Sequence, residues 1–181
     1  MALAVTRLPY GLRDVKVATL DSAGVKGTLV DLPNAQTFEF QEETETQELR
    51  GDDAVVAKRT TVSAVSWTLE AGGIAYEAMV VIAGGTVAST GVTPNVKKTW
   101  VRMGTDSYPD FYLSGLSMSE SGGSDTTIIH RAKAEQISGS HTDQEFWVSH
   151  AEGTGIATLT AADVGKVWTM QSDETALSSA P

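Results

Sequence analysis

Two long runs of strand-type residues, joined by a single short turn, constrain this chain more than any other feature. Residues 36–48 are rich in Thr, Phe, Glu and Gln and hold no Gly or Pro. Phe38 and Phe40 alternate with polar neighbours, the period of a strand with one face buried. Residues 54–70 follow with Val55, Val56, Thr60, Thr61, Val62, Val65 and Trp67, types that favour extended backbone. Between them, Leu49, Arg50, Gly51, Asp52 and Asp53 read as a hairpin turn, with Gly51 free to take a positive φ. Ordinary strands run to about 5–6 residues. A hairpin of this length exposes long unpaired edges unless something else covers them.

The same stretch is the acidic centre of an acidic chain. Residues 39–53 hold seven acids and one base, Arg50, whereas residues 1–38 hold three acids and four bases. Over the whole 181 residues the net charge is −10. No segment gathers more than two adjacent bases (Lys58 with Arg59, Lys97 with Lys98), so a phosphate-gripping patch is not expected. The parity of the hairpin assigns its faces. Phe38 and Phe40, with Val65, Trp67 and Leu69 on the return strand, mark a core side. Glu39, Gln41, Glu43, Glu45 and Gln47, with Ser66, Thr68 and Glu70, form the opposite, polar side.

The rest of the chain reads as mainly β with one helix, favouring a small sandwich or barrel. Residues 15–20 and 25–30 are short strands. Gly pairs at 72–73 and 84–85 bracket a helix over 74–83, with Ile74, Ala78, Val81 and Ile82 on its buried face and that face lying on the core side of the hairpin. Residues 84–94 read as a loop and 98–103 as a strand. Residues 111–120 and 126–137 form a second hairpin joined by 121–125. In its return strand Ile129, Arg131, Lys133, Glu135 and Ile137 fall on one face, and His130, Ala132, Ala134 and Gln136 on the other. Residues 144–150 and 166–170 are further strands, and Gly153, Thr154 and Gly155 fall in a loop. This is one domain over 1–170, with an N-terminal arm, and 171–181 as a flexible tail. The N-terminus has no basic segment ahead of a long apolar run, which argues against a signal peptide.

No catalytic constellation emerges. His130, His141 and His150 share no ligand spacing, no Gly-x-Ser-x-Gly elbow is present, and there is no cysteine. Neither a cofactor nor a metal is expected. Arg50, Gly51 and Asp52 spell an adhesion triplet, which a hairpin turn explains without a receptor. An acidic adhesion or binding module is therefore the alternative of a different class.

Four segments carry a resemblance: 8–15 (Leu-Pro-Tyr-Gly-Leu-Arg-Asp-Val), 30–33 (Val-Asp-Leu-Pro), 48–53 (Glu-Leu-Arg-Gly-Asp-Asp) and 69–74 (Leu-Glu-Ala-Gly-Gly-Ile). Together, and in this order, they resemble the major tail tube proteins of siphophages that infect actinobacteria. The resemblance covers residues 8–137. It implies a virion protein, assembled in the host cytoplasm, whose stacked hexameric rings form a tube with a β-barrel wall. It also implies partners: copies of itself, a tape measure protein, a tail terminator and tail-tip proteins, with DNA passing through and no membrane. On that reading the polar side, Glu39, Gln41, Glu43, Glu45, Gln47, Ser66, Thr68 and Glu70, faces the lumen, and the acids repel DNA from the wall. The inner tube of a contractile tail or related injection machine shares these expectations and is the nearest alternative.

Overall fold

A computed structural model describes residues 8–52, 54–73, 75–120, 122–159 and 163–181. Ile74 of the expected helix, Asp53 of the turn and most of the N-terminal arm lie outside the described residues. The elements in chain order are β1 (Pro9–Leu20), β2 (Lys26–Asp31), β3 (Ala35–Gly51), β4 (Ala54–Gly72), α1 (Tyr76–Ala83), β5 (Thr86–Thr90), β6 (Lys97–Val101), β7 (Asp110–Ser119), β8 (Ser124–Ser140), β9 (Val148–Gly155) and β10 (Trp168–Asp173). The class is mainly β, as the sequence implies.

One sheet runs β2-β1-β7-β8-β9-β4-β3, with β10 also on β8, and a separate ribbon pairs β5 with β6. Every pairing is antiparallel. The sheet does not close into a barrel, and β2 and β3 are its ends. Strand β8 makes the architecture. Its first part pairs with β7 on one side and β10 on the other; its second part pairs with β9. The two halves of the sheet then fold face to face over a shared core. Val15, Val17, Phe111, Leu113 and Ile129 come from one half, and Val65, Trp67, Leu69 and Ala151 from the other. The Trp67 and Phe111 rings meet edge to face at 5.6 Å across that core. Gly115 lacks a side chain because Phe38 lies on it; a Cβ there would run into the Phe38 ring.

Two bulges overturn the face assignment expected for β8. Ile129, Ala132, Ala134 and Ile137 turn toward the core, in place of a strict odd set. The register slips where Phe111 and Leu113 oppose Ala132 and Ile129, and slips again between Ala134 and Gln136. Each extra residue sends the following side chains to the other face. Strict alternation cannot reveal this.

The helix begins two residues later than its glycine bracket predicts. It buries Ala78, Met79, Val81, Ile82 and Ala83, and it ends at Gly84, whose φ is 76° and whose N–H donates to Val80 O at 2.9 Å. Because it is apolar around most of its girth, it plugs the core. Ala78, Val81 and Ile82 belong to the same cluster as Trp67 and Leu69, so the helix sits on the core side of β4.

Four further expectations are corrected. Residues 84–94 are not all loop, because Thr86–Thr90 finds a partner in β6. Residues 144–147 precede the strand that was expected there, and β9 runs on through Gly153 and Gly155. Those glycines point inward where a Cβ would strike the Lys133 carbonyl or the Val65 and Ile129 side chains, so they belong to a strand and not to a loop. The expected flexible tail is docked. Residues 171–173 belong to β10; beyond them Leu177 N donates to Ser124 Oγ (3.1 Å), Ala180 N to Asp14 Oδ2 (2.8 Å) and Ser114 Oγ to Pro181 O (2.9 Å). No helix among the described residues is long and apolar enough to cross a membrane.

Ile82 is 2% exposed within the core. Truncation to Ala should cost about 3 kcal/mol, read as a lower urea midpoint with an unchanged slope. A loss below about 0.5 kcal/mol would place the helix elsewhere.

Candidate functional site: a polar sheet face and a projecting arm

The residues assigned to the polar side of the hairpin do share one face, and that face is wider than the hairpin. Antiparallel pairing aligns four strands in rows. Thr37, Glu70, His150 and Ser138 form one row; Glu39, Thr68, Glu152 and Gln136 the next; Gln41, Ser66, Thr154 and Lys133 the third. Paired residues point the same way, so this whole surface lies opposite the Trp67 and Leu69 core. It is bonded side to side. Thr37 Oγ1 donates to Glu70 Oε2 at 3.2 Å and Thr154 Oγ1 to Glu135 Oε1 at 2.9 Å. His150 stands between two carboxylates, with Nδ1 3.4 Å from Glu70 Oε1 and Nε2 3.6 Å from Glu152 Oε2.

Sequence reading missed His150, Glu152, Thr154, Lys133, Gln136 and Ser138 as members of this face. For β9 the signal was present. Small residues at Ser149, Ala151, Gly153 and Gly155 alternate with polar ones at His150, Glu152 and Thr154. For β8 the bulges hid it.

Farther along, the hairpin leaves the body. Strand β9 pairs with β4 only from Val65 to Gly72. Beyond that point β4 has β3 alone, and residues 41–52 and 54–63 are exposed throughout. This arm of about 11 residue pairs reaches roughly 35 Å at the usual strand rise. A bulge at Ser63, whose Oγ donates to Glu43 O at 3.1 Å, switches the parity of β4. Thus Glu45 pairs with Thr61 and Gln47 with Arg59 on the acidic side, whereas Glu48 pairs with Lys58 on the other. Arg59, not Lys58, is the base that shares the face of Glu43 and Glu45. Lys58 instead approaches Glu48 at 3.9 Å, and Arg50 approaches the same carboxylate at 3.6 Å. At the turn the positive φ belongs to Asp52 (45°) and not to Gly51; Asp tolerates that region better than most side chains.

Among the unpaired strand edges of the described sheet, two bound the four-stranded polar face. One is the full outer edge of β3, the last strand. The other is the side of β8 away from β9 over residues 134–140, because the β7 pairing stops at Lys133 opposite Asp110. No cluster of three or more metal-ligating side chains occurs among the described residues.

No family model matches the sequence, and no curated protein matches it. Among solved structures, the chain is similar to the anti-feeding prophage cap, the tube-terminating cap of that particle, seen by cryo-electron microscopy. The two share 13% identity, with 95% of this chain and 99% of that chain covered, at a TM-score of 0.42. A superposition that loose does not define a common fold.

Because the arm is exposed on both faces, Arg59→Glu should leave subunit stability within about 0.5 kcal/mol of wild type. A urea titration of the unassembled chain checks this; a loss of several kcal/mol would mean that the arm packs on the subunit's own body.

Proposed function

We propose that the chain is a structural subunit of a phage-type tail tube, in which copies join edge to edge into rings and the polar face lines the channel. The observation that carries this reading is the arm: a two-stranded ribbon wet on both faces, with neither edge paired to a further strand among the described residues. An isolated ribbon of this kind is marginally stable at best, and its open edge is a template for another chain.

Strand direction supports the same reading. Strands β8, β9, β4 and β3 alternate in direction. Laying the β3 edge of one copy along residues 134–140 of the next therefore keeps the alternation unbroken. Such a contact is head to tail, and it generates a ring if the rotation closes. The seam would bring the four-stranded polar face of every copy onto one wall. A wide barrel has a polar interior of this kind. The core, the helix and the β1–β7 half would lie outside.

In that ring Glu39, Glu43, Glu70, Glu135 and Glu152 face the lumen, with Gln41, Glu45, Gln47, Ser66 and Thr68 among them. Lys133 and Arg59 offset part of the charge. DNA phosphates meet like charge at the wall, and screening confines the repulsion to about 8 Å at physiological salt. The wall then keeps DNA from sticking and supplies no driving force. Six copies per ring, siphophage tail partners and a place in the virion follow from the family resemblance and belong to this proposal.

Light scattering and negative-stain imaging of the purified protein, alone and with a tail-tip initiator, should show rings or tubes. Persistent monomer under both conditions contradicts the reading. Glu43→Lys combined with Glu45→Lys should still assemble but slow DNA ejection at low salt, with added salt restoring the rate. Wild-type ejection kinetics at low salt would remove these residues from the lumen.

A further inference from the structure

Within one subunit the polar rows cross four strands directly: Gln136 stands opposite Glu152, Glu152 opposite Thr68, and Thr68 opposite Glu39. The bulge at Glu135 keeps Lys133, Gln136, Ser138 and Ser140 on this one face of β8. Thr154 Oγ1 draws the Glu135 carboxylate toward β9, away from the open edge. Lys133 is exposed and makes no ion pair among the described residues, and the same holds for Glu45 on β3. The two cannot meet within a subunit. Strands β9 and β4 lie between them, and the row of Lys133 ends on Gln41. Arg59, the other base of this face, sits on β4 opposite Gln47.

We propose that the seam between copies is staggered by four residues toward the arm, so that Lys133 of one copy stands opposite Glu45 of its neighbour. The inference rests on the tube reading given above and adds the register in which the two edges meet. Side-chain parity allows only even staggers, since an odd one would turn the polar face of one copy outward. A stagger away from the arm would run residues 134–140 past the start of β3 at Ala35. Closure sets the size. With four strands per copy, a rise of about 3.4 Å and a strand spacing of about 4.8 Å, staggers of two, four and six residues tilt the strands by about 19°, 35° and 46°. Closed barrels tilt their strands by roughly 35–45°. This ratio does not depend on how many copies close the ring. Charge then separates four from six. At four, Lys133 faces Glu45, Gln136 faces Glu43, Ser138 faces Gln41 and Ser140 faces Glu39, so no acid meets an acid across the seam. At six, Lys133 faces the uncharged Gln47. The backbone ladder supplies the strength of the contact, and the ion pair selects its register.

The chain has no cysteine, so a cross-linking scan has no background. Gln136→Cys is combined in one chain with Glu39→Cys, Gln41→Cys, Glu43→Cys or Glu45→Cys, partners that report staggers of zero, two, four and six residues. Directly opposed residues lie within disulfide reach, whereas a slip of two residues carries the Cα atoms beyond about 7 Å. After assembly and mild oxidation, the Glu43→Cys chain should give a denaturing-gel ladder that collapses with reductant, and the other three at most a tenth as much. In a Lys133→Glu background the Glu43→Cys yield should fall at least threefold, and adding Glu45→Lys should restore it. A maximum at position 39, 41 or 45 would overturn the stagger and leave the edge-to-edge seam intact. An unchanged yield in Lys133→Glu would overturn the ion pair as the selector. Assembled tubes without a cross-link at any of the four positions would overturn the pairing of these edges. Wild-type protein that forms neither rings nor tubes would overturn the tube reading and this register with it.

Discussion

Backbone hydrogen bonding along one long hairpin governs this molecule. A strand is stable when its N–H and C=O groups find partners and one of its faces leaves water. Strands β3 and β4 meet both conditions only at their root. There β9 pairs with β4 from Val65 to Gly72, and Phe38, Phe40, Trp67 and Leu69 pack into or against the core. Past Val65 each strand has only the other as a backbone partner, and neither face leaves water. The body is thus a small sandwich, and the arm is an element that the described residues of the subunit leave without further partners. Its composition fits that state. Thr46 and Thr60 bond across the strands at 3.0 Å, and the charges at Glu48, Lys58 and Arg50 keep the free ribbon soluble.

The polar face depends on the same hairpin. Its rows exist because β4 serves two neighbours, β3 and β9, and because β9 brings β8. Glu70 and Glu152 sit on adjacent strands with His150 between them, an arrangement that tempers repulsion when the imidazole is protonated. Like charges facing one another across a sheet are destabilising. A face so rich in carboxylate therefore costs the subunit something, and in the proposed assembly that cost is set against keeping DNA off the wall.

Much of this was legible in the sequence, and the missing parts share a cause. Alternation of Phe38 and Phe40 with polar residues, and of Val65, Trp67 and Leu69 with Ser66, Thr68 and Glu70, assigned both faces of the hairpin root. The glycine pairs bracketed the helix to within two residues. What failed was anything dependent on register. Bulges near Arg131, Glu135 and Ser63 shift parity without a sequence mark of their own. Ser63 decides that Arg59 joins the acidic face; Glu135 decides that Gln136 and Ser138 do. Strand β5 was read as loop because its Thr and Ser become strand only when β6 supplies a partner. The docked tail was missed because three isolated hydrogen bonds and the small side chain of Ala180 leave no periodic signal.

Amide hydrogen exchange tests the central claim, that the open edges of β3 and of β8 at residues 134–140 are closed by neighbouring copies. In the unassembled subunit those outward amides should exchange nearly as fast as an unstructured chain, while the amides of β1 and β7 stay protected. On assembly the same edge amides should slow by at least about a hundredfold, a change expected when a free N–H enters a stable ladder. Edge amides that remain fast in assembled material, with protection appearing elsewhere, would contradict the account.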